Sequence, residues 1–397
     1  MMNNKSLSAL VDQVRGVSYK PKDIHDTLND LSIALLRANN IFDGSIDFSD
    51  VIYVDRKRVS SSQILRRGDI LVCASSGSKD LVGKAASFNC DGEYTFGAFC
   101  KVVRPKNIDD ADYISVFFQS PKYRREIAAS ALGANINNIR NEHIDNLVIN
   151  WPVKLKRDII VSLLNQSKSI ITLRKKQLHL FDELIKARFV EMFGDPITND
   201  KRWATSKLLE VTNKIGSGAT PKGGKESYIT EGISLIRSLN VHDGKFLYKD
   251  LACITDEQAR QLDNVKVLPN DVFINITGAS VARSCVVPSD VLPARVNQHV
   301  SIVRCNQEKI NPIFANQQFL NSSFKRHLLG IGESGGATRQ AITKQQLEQL
   351  TVIVPPINIQ YAFADFIKQV DKSKAVVQQS LDKTQLLFDS LMQQYFG

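Results

Sequence analysis

Two long segments of the chain carry an uninterrupted helical pattern of apolar positions. Residues 153–194 and 356–397 contain no glycine before a terminal Phe-Gly pair and are rich in Leu, Ile, Lys and Gln, which favour helix. In the first segment, spacings of four and three alternate through Ile159, Leu163, Gln166, Ile170, Leu173, Gln177, Leu180, Leu184 and Ala187. In the second, they run through Phe363, Ile367, Val370, Lys374, Val377, Leu381, Thr384, Phe388, Leu391 and Tyr395. This spacing is typical of the a/d stripe of a coiled coil and predicts a long helix in each segment.

Each predicted stripe needs an apolar partner. The helices would be roughly 60 Å long at 1.5 Å per residue, so an uncovered stripe would leave a large apolar surface in water. We expect the two helices to pair as an antiparallel coiled coil, with a pseudo-twofold axis and one globular domain at each end. The alternative is that each helix packs against its own domain. The predicted interface comprises Ile159, Leu163, Ile170, Leu173, Leu180, Leu184, Phe363, Ile367, Val370, Val377, Leu381, Phe388 and Leu391.

The segments that precede the two helices repeat each other in order, at offsets of 200 to 203 residues. LRANNIFDGSIDF (36–48) matches IRSLNVHDGKFLY (236–248), and RGDILVCASSGSKDLVGK (67–84) matches NDVFINITGASVARS (270–284). KVVR (101–104) matches SIVR (301–304), and LGANINNIRNEHIDNLVINWP (132–152) matches GGATRQAITKQQLEQLTVIVP (335–355). The repeated order predicts duplication of a whole domain rather than a short-period solenoid.

The sequence therefore predicts an α+β protein with two similar globular domains, each followed by a long helix. The globular domains are placed at 1–151 and 196–354, and the spacer helices at 152–195 and 355–397. A proline stands at or near each helix start, a position that helices tolerate.

Composition excludes several classes of protein. The 397 residues are 43% hydrophobic and 23% charged, as in an ordinary globular protein, and no stretch approaches 18 consecutive apolar residues. The opening MMNNKSLSALVDQ has no apolar signal-peptide core, so we expect a cytoplasmic protein without a membrane partner. Six cysteines and six histidines are dispersed without CxxC or HxxxH spacing, and we therefore predict no metal site.

The charge points to a polyanionic partner. The net charge is +10, and residues 152–194 contribute nine Lys or Arg against four Asp or Glu. Nucleic acid is the first candidate for a chain of this charge, although charge alone does not separate it from an ordinary basic protein. A protein with two similar domains on a stiff spacer suits duplex DNA, whose target sites often consist of two separated halves.

The chain resembles the specificity subunits of Type I restriction-modification systems. The resemblance rests on LRANNI, GDILV, SSGS, VGK, KARFVEMFGDP, INITGAS, VNQHVSIVR, ATRQAIT and VPP, in this order across both halves. It implies two target recognition domains, spaced by an antiparallel coiled coil, that read an asymmetric bipartite sequence in double-stranded DNA. It also implies a complex with two methyltransferase subunits, which methylate adenine at N6, and with translocating restriction subunits.

No catalytic motif accompanies this pattern. The sequence has no GxxxxGK[ST] loop and no Asn/Asp-Pro-Pro-Tyr/Phe tetrapeptide, and Ser334 in Gly-Glu-Ser-Gly-Gly lacks the flanking strand and helix of a hydrolase turn. We therefore expect a non-catalytic chain without a cofactor, with S-adenosylmethionine and the ATP and Mg²⁺ of restriction bound by partner subunits. The alternatives are a stand-alone DNA-binding regulator and an enzyme with an irregular site.

Four pairs of polar loops are candidates for DNA contact, since base readout needs Arg, Lys, Asn, Gln, Ser or Thr on loops that reach the groove. Plain turns and helix caps are the alternative interpretation of each loop. In the first half we select Tyr19, Lys20, Arg37, Asn39, Ser75, Ser76, Ser78, Lys79, Asn135 and Asn137, and in the second Thr220, Lys222, Arg237, Ser238, Thr277, Ser280, Thr338, Arg339 and Gln340. Lys84, Arg283, Arg104 and Arg304 are predicted to neutralise phosphates.

Overall fold

The protein forms two compact units in a computed structural model that describes residues 4–78, 80–130, 137–221, 223–333 and 340–397. Unit 1 comprises Met1–Lys175 together with Gln379–Gly397, and unit 2 comprises Lys176–Gln378. Within the described ranges, no helix is both long and apolar enough to span a membrane.

Unit 1 is built on two mixed layers of short strands. The antiparallel sheet has the order β10-β8-β12-β2, and a second four-stranded sheet has the order β11-β4-β7-β3, in which β11 runs parallel to β4. Short ladders join β1 to β14, β5 to β6 and β9 to β13. The strands are β1 (Asn4–Ser6), β2 (Val11–Arg15), β3 (Ile24–His25), β4 (Ser32–Leu36), β5 (Ile41–Phe42), β6 (Ser45–Ile46), β7 (Ile52–Asp55), β8 (Ile70–Cys73), β9 (Ser75–Ser76), β10 (Ala85–Ser87), β11 (Tyr94–Phe96), β12 (Cys100–Pro105), β13 (Asn137–Asn138) and β14 (Val148–Asn150).

The β8 strand shows that the antiparallel sheet is buried on both faces. Successive side chains of a strand point to opposite faces. Ile70 and Val72 accordingly join one apolar cluster, and Leu71 and Cys73 join another. The first cluster also takes in the short helices of the unit, which are α1 (Ala111–Phe117), α2 (Pro121–Ser130) and α3 (Asn141–Asp145). The long helix α4 (Lys154–Phe193) follows and lies within the segment predicted for the first spacer helix.

Unit 2 repeats the sheet order of unit 1. Its antiparallel sheet has the order β16-β24-β21-β22, which corresponds strand for strand to β2-β12-β8-β10, and its second sheet has the order β20-β17-β23. In that sheet β23 runs parallel to β17, as β11 does to β4. The strands are β15 (Thr205–Lys207), β16 (Thr212–Ser217), β17 (Ile233–Ile236), β18 (Val241–His242), β19 (Lys245–Phe246), β20 (Ala252–Ile254), β21 (Val272–Asn275), β22 (Ser284–Val286), β23 (Ala294–Val296), β24 (Val300–Cys305) and β25 (Thr351–Ile353). The matching order agrees with the duplication predicted from the sequence.

The helices of unit 2 complete the same plan. They are α5 (Asp256–Gln261), α6 (Pro312–Leu320), α7 (Ser322–Glu333), α8 (Lys344–Glu348) and the second long helix, α9 (Ile357–Phe396), part of which belongs to unit 1. The α9 helix lies within the segment predicted for the second spacer helix. The compact units do not follow the predicted domain boundaries, because each unit takes a part of both long helices.

Both long helices contribute to the core of each unit. In unit 1, Ile160 of α4 and Phe396 of α9 join one apolar cluster, where the Phe396 ring lies 5.2 Å from the Tyr113 ring between centroids. In unit 2, the rings of Phe189 and Phe363, from α4 and α9, lie 5.7 Å apart. Side chains of both helices therefore share one core in each unit.

The predicted stripe of α9 is the buried one. Phe363, Ile367, Val370, Val377 and Leu381 are buried, and Phe388 and Leu391 are half-buried.

The predicted stripe of α4 is wrong in register by one residue. Ile159, Leu163 and Ile170 are 51%, 40% and 44% exposed, whereas the next residue in each case, Ile160, Leu164 or Ile171, is buried. Leu173, Leu180 and Leu184 are exposed as well. The apolar doublets fit either stripe, so hydrophobic spacing does not decide between them.

Polar members hide the true stripe of α4 in the sequence. The buried face includes Arg157 and Ser167, which lowered its apparent apolar content. Arg157 is paired inside unit 1, since its Nη2 donates to Asp110 Oδ1 at 2.5 Å and its Nη1 donates to the Pro152 carbonyl at 2.8 Å. Buried polar groups are tolerated when they are hydrogen-bonded in this way.

Candidate nucleic-acid interface

A tight turn between β11 and β12 lies at the centre of the candidate loops of unit 1. The Gly97 amide donates to the Leu36 carbonyl at 2.9 Å, which places the turn beside the loop that begins at Arg37. The Phe99 carbonyl accepts from the amides of Ala74 and Ser75 at 2.9 and 3.1 Å. The turn therefore joins two loops that lie far apart in the sequence.

A third loop of unit 1 passes against the same turn. A methyl group on Gly16 would lie 2.1 Å from the Gly97 carbonyl oxygen, so the close approach of these two backbones requires glycine at position 16. A methyl group on Gly97 would lie 3.6 Å from the ring of Tyr19. Tyr19 is half-buried and Lys20 is exposed, so this loop presents a lysine beside the turn.

The fourth candidate loop pairs directly with the first. Asn137 and Asn138 of β13 form an antiparallel ladder with Ser76 and Ser75 of β9. The Ser78 amide donates to Ser76 Oγ at 3.1 Å, which shapes the loop that follows β9. Lys79 and Asn135 lie outside the described residues, as does the side chain of Asn137.

A buried lysine binds the segment that follows this ladder. Lys101 Nζ donates to Asn141 Oδ1 at 2.6 Å and to Gln13 Oε1 at 3.0 Å. Burial lowers the pKa of Lys101 from its ordinary value of 10.5 to about 8, and the nearby carboxylate of Asp145 opposes that shift. Unit 2 has Ser301 at the matching position, so the two units anchor this segment differently.

Unit 2 builds the same arrangement around residues 297–299. The Asn297 amide donates to the Ile236 carbonyl at 3.0 Å, and the Asn297 carbonyl accepts from the Gly218 amide at 3.1 Å. The His299 carbonyl accepts from the Ile276 amide at 3.0 Å. These bonds place the turn beside the loops that carry Arg237, Thr220 and Thr277.

Side chains strengthen these contacts in unit 2. Thr220 Oγ1 donates to Gln298 Oε1 at 2.5 Å, and Thr277 Oγ1 contacts Nδ1 of His299. Gln298 is exposed and His299 is half-buried. The turn therefore presents an amide whose orientation is held by a neighbouring hydroxyl.

The last candidate loop of unit 2 also lies against Thr277. Thr277 forms a bridge with Ala341, and the Gly278 amide donates to the Gln340 carbonyl at 2.9 Å. The Gln340 amide group donates to Glu333 Oε1 at 2.8 Å, and Ser280 is half-buried at the end of the neighbouring turn. Lys222, Thr338 and Arg339 lie outside the described residues.

The loops that begin at Arg37 and Arg237 are tied to their own units. Arg37 Nη2 and Asn39 Nδ2 both donate to Asp50 Oδ2, at 2.8 and 2.6 Å. The Arg237 guanidinium lies 5.2 Å from the centre of the Tyr228 ring, in cation–π geometry. The Ser238 carbonyl accepts from Asn275 Nδ2 at 2.9 Å. These contacts support the local turn, so the repeated L/I-R-x-x-N landmark has a structural role.

Arg104 and Arg304 do not present free charges to phosphates, contrary to our prediction. Each guanidinium forms a two-point ion pair inside its own unit, Arg104 with Asp69 and Arg304 with Asp271. Both carboxylates are fully buried. The charge of each guanidinium is therefore neutralised by a carboxylate of its own unit.

Lys84 and Arg283 line cavities beside the long helices. The Lys84 cavity has a volume of about 440 Å³ and also takes in Lys168 and Arg124. The Arg283 cavity has a volume of about 660 Å³, and there Arg283 Nη1 lies 3.5 Å from Nε2 of His242. Contact of either side chain with a phosphate stays a prediction.

Sequence reasoning missed Phe99, which is 70% exposed at the tip of the first turn. Its signal was positional: Gly97-Ala98-Phe99 stands 200 residues before Asn297-Gln298-His299. Within the described residues, no group of three or more His, Cys, Asp or Glu could hold a metal ion. The six cysteines are free thiols, four of them buried.

The fold and the paired loops define a chain built on two units of the same plan. Residues 200–384 match the family described as Type I restriction modification DNA specificity domain. This match confirms the resemblance of the chain to Type I specificity subunits.

Relatives and solved structures agree with that family. The chain is 26% identical over 388 residues to the Type I restriction enzyme StySPI specificity subunit of Salmonella potsdam, covering 92% of this chain and 80% of the relative. It is 25% identical over 411 residues to the EcoKI specificity subunit of Escherichia coli K12, covering 94% and 84%. The S subunit of a Type I system from M. genitalium has the same fold, with a TM-score of 0.59 and 13% identity, covering 100% of this chain and 96% of that one.

Proposed function

We propose that the chain is the DNA-binding specificity subunit of a Type I restriction-modification complex and reads an asymmetric bipartite target. One observation carries the proposal: both units gather the same loops around the same turn, yet present different side chains there. Unit 1 presents Phe99 beside Ser75, and unit 2 presents Gln298 and His299 beside Thr277.

A shared frame with different side chains suits two unlike half-sites. Backbone bonds fix the turn in each unit, so its exposed side chains keep a defined direction toward a ligand. Bases are distinguished in the major groove by the pattern of donors, acceptors and methyl groups that they present. Amide, hydroxyl and phenyl groups would therefore select different bases from the same turn in the two units.

The two long helices would set the distance between the half-sites. Their buried positions in each unit follow the three-and-four spacing of paired helices, as Ile160, Leu164, Ser167 and Ile171 illustrate. Pairing of α4 with α9 as an antiparallel coiled coil, with pseudo-twofold symmetry, would hold the units at a fixed separation. The gap between the two half-sites would then depend on helix length.

An exposed stripe of α4 supports a scaffolding role. In unit 1, Leu155, Ile159 and Leu173 are 73%, 51% and 64% exposed, and Leu163 and Ile170 lie between them on the same stripe. In unit 2, Leu180 and Leu184 are exposed on this helix as well. Contiguous apolar surface of this kind marks a protein interface. We assign it to the methyltransferase subunits, two per complex, with restriction subunits added to that assembly.

Catalysis would then be carried out by the partner subunits. The methyltransferase subunits would bind S-adenosylmethionine and methylate adenine N6, and the restriction subunits would use ATP and Mg²⁺. This chain would supply target choice and assembly, without catalysis of its own, in the cytoplasm. A stand-alone DNA-binding regulator would have no use for the exposed stripe of α4.

The test is a map of methylated adenines. The chain is co-expressed with the methyltransferase encoded beside it, in a host without N6-methyladenine, and the genome is sequenced for modified bases. We expect one bipartite asymmetric motif that disappears when the chain is omitted. A soluble complex that adds no methylation would contradict the role in target choice, and the absence of a complex would contradict the scaffolding role.

A further inference from the structure

The turn at 97–99 in unit 1 and its counterpart at 297–299 in unit 2 each touch several candidate loops at once. In unit 1, backbone bonds connect it to Leu36 and to Ser75, and Tyr19 lies against it. A side chain at this position would reach a ligand held by the surrounding loops. A substitution at this turn would therefore affect DNA binding more than a substitution at the edge of the loop cluster.

Gln298 is prepared for base recognition by its neighbour. Thr220 Oγ1 donates to Gln298 Oε1, which holds the amide group in place at the turn. The oxygen keeps a second lone pair, and the amide nitrogen has two hydrogens to donate. A glutamine used in this way pairs with adenine, accepting from N6 and donating to N7.

Phe99 stands at the matching turn of unit 1 with a different chemistry. Its carbonyl is held by two amides, and its ring is 70% exposed, so the backbone directs an apolar surface into solvent. In the major groove the matching feature is the methyl group of thymine. Lone exposed phenylalanines are common, and it is the position among the loops that distinguishes Phe99.

We propose that these two turns determine base specificity, with Gln298 reading an adenine in one half-site and Phe99 contacting a thymine methyl in the other. The inference rests on the proposed function and deepens it, since it assigns a chemical feature of each half-site to a named residue. It also gives each unit a distinct reader at the same turn of the fold, where Phe99 matches His299 and Gln298 matches Ala98.

The experiment uses the complex of the full chain with its methyltransferase, and duplexes in which each position of the target is changed in turn. Gln298→Ala is expected to lower affinity for the natural target about tenfold and to relax discrimination at one adenine of one half-site. Phe99→Ala is expected to do the same at one thymine of the other half-site. Replacement of that thymine by uracil, which lacks the methyl group, should lower the affinity of the wild type but not that of the variant.

Matched controls distinguish the effects of the two turn substitutions from the effect of removing any exposed side chain. Phe42→Ala removes another exposed phenylalanine of unit 1, 71% exposed on the β5-β6 hairpin, and Gln261→Ala removes an exposed glutamine of α5. Both controls should bind as the wild type does. Thr220→Val removes the hydroxyl that holds Gln298. It should relax discrimination at the same adenine as Gln298→Ala does.

The outcomes distinguish this inference from the proposal on which it rests. A wild-type complex that shows no preference among the duplexes would overturn the proposed function, and the inference with it. A wild-type complex with a clear bipartite preference that Gln298→Ala and Phe99→Ala leave intact would overturn the inference alone. Melting temperatures equal to that of the wild type show that each variant is folded.

Discussion

Arg104 and Asp69 form a two-point ion pair, with Nε to Oδ1 at 2.8 Å and Nη2 to Oδ2 at 2.7 Å. Asp69 also accepts from the amide of Arg66 at 2.8 Å, so its carboxylate fixes a turn as well as a side chain. Asp69 stands at the start of β8 and Arg104 lies on the neighbouring strand β12. Arg304 and Asp271 repeat this pairing in unit 2, which makes the ion pair a duplicated structural element.

Loss of this ion pair should be costly. Asp69→Asn leaves the Arg104 guanidinium without its charged partner, and breaking a buried pair in this way costs about 3–5 kcal/mol of unfolding free energy. Asp50→Asn is the control, because the Arg37–Asp50 pair is exposed and should contribute at most about 1 kcal/mol. Urea denaturation measures both. Equal effects of the two substitutions would contradict a structural role specific to the buried pair.

Lys101 should give the protein a distinctive response to alkaline pH. Its folded-state pKa of about 8 lies below the ordinary value of 10.5, so between these values the unfolded chain binds more protons at this site. The contribution of Lys101 to stability is therefore greatest above pH 10.5 and declines as the pH falls toward 8. Compared with Lys101→Met, the wild type should gain unfolding free energy as pH rises from 8 to 10.5. If the difference in unfolding free energy between wild type and Lys101→Met stays constant from pH 8 to 10.5, burial does not lower the pKa of Lys101.

Adjacent residues of α4 should behave oppositely. Leu164→Ala removes a buried side chain and should cost about 2–5 kcal/mol of unfolding free energy. Leu163→Ala removes an exposed one and should change stability by about 0.5 kcal/mol or less. Under the proposed scaffolding role, Leu163→Ala combined with Ile159→Ala should weaken capture of the methyltransferase while leaving the melting temperature unchanged. Denaturation and co-purification distinguish the two faces, and unaffected capture would remove the assigned docking role of the stripe.

Lengthening both helices should lengthen the gap in the target. Seven added residues extend a helix by about 10 Å, or roughly three base pairs of duplex DNA. Matched insertions of one heptad after Lys175 and after Gln378 would preserve the apolar spacing of both helices. The methylated motif should keep both half-sites and gain about three unspecified base pairs between them. An unchanged gap would contradict the proposed spacer role.

Sequence predicted the large elements of this fold because their patterns are long or repeated. Spacing over about 40 residues indicated α4 and α9, and duplication indicated two units with matching sheets. The register of α4 was not determined, since doublets such as Leu163-Leu164 offer two equivalent stripes. The buried stripe of α4 includes the charged Arg157, and this burial is explained by its ion pair with Asp110, which lies outside the helix.

The candidate interface was predicted less completely. Polar loops were visible as loops, but their meeting at one turn depends on backbone bonds between residues far apart, such as Ser75 and Phe99. Phe99 itself carries no polar signal. Arg104 was assigned to phosphate because its partner, Asp69, lies 35 residues away in the sequence.

The division of both long helices between the units has a consequence for how the chain folds as it is synthesised. Unit 2 is one continuous stretch, Lys176–Gln378, and can complete its core once that stretch has emerged. Unit 1 is discontinuous, and its core includes Met392 and Phe396, while Arg125 Nη2 donates to the Gly397 carbonyl at 2.7 Å. The part of the protein that is made first therefore cannot complete its core until the last residues have been made.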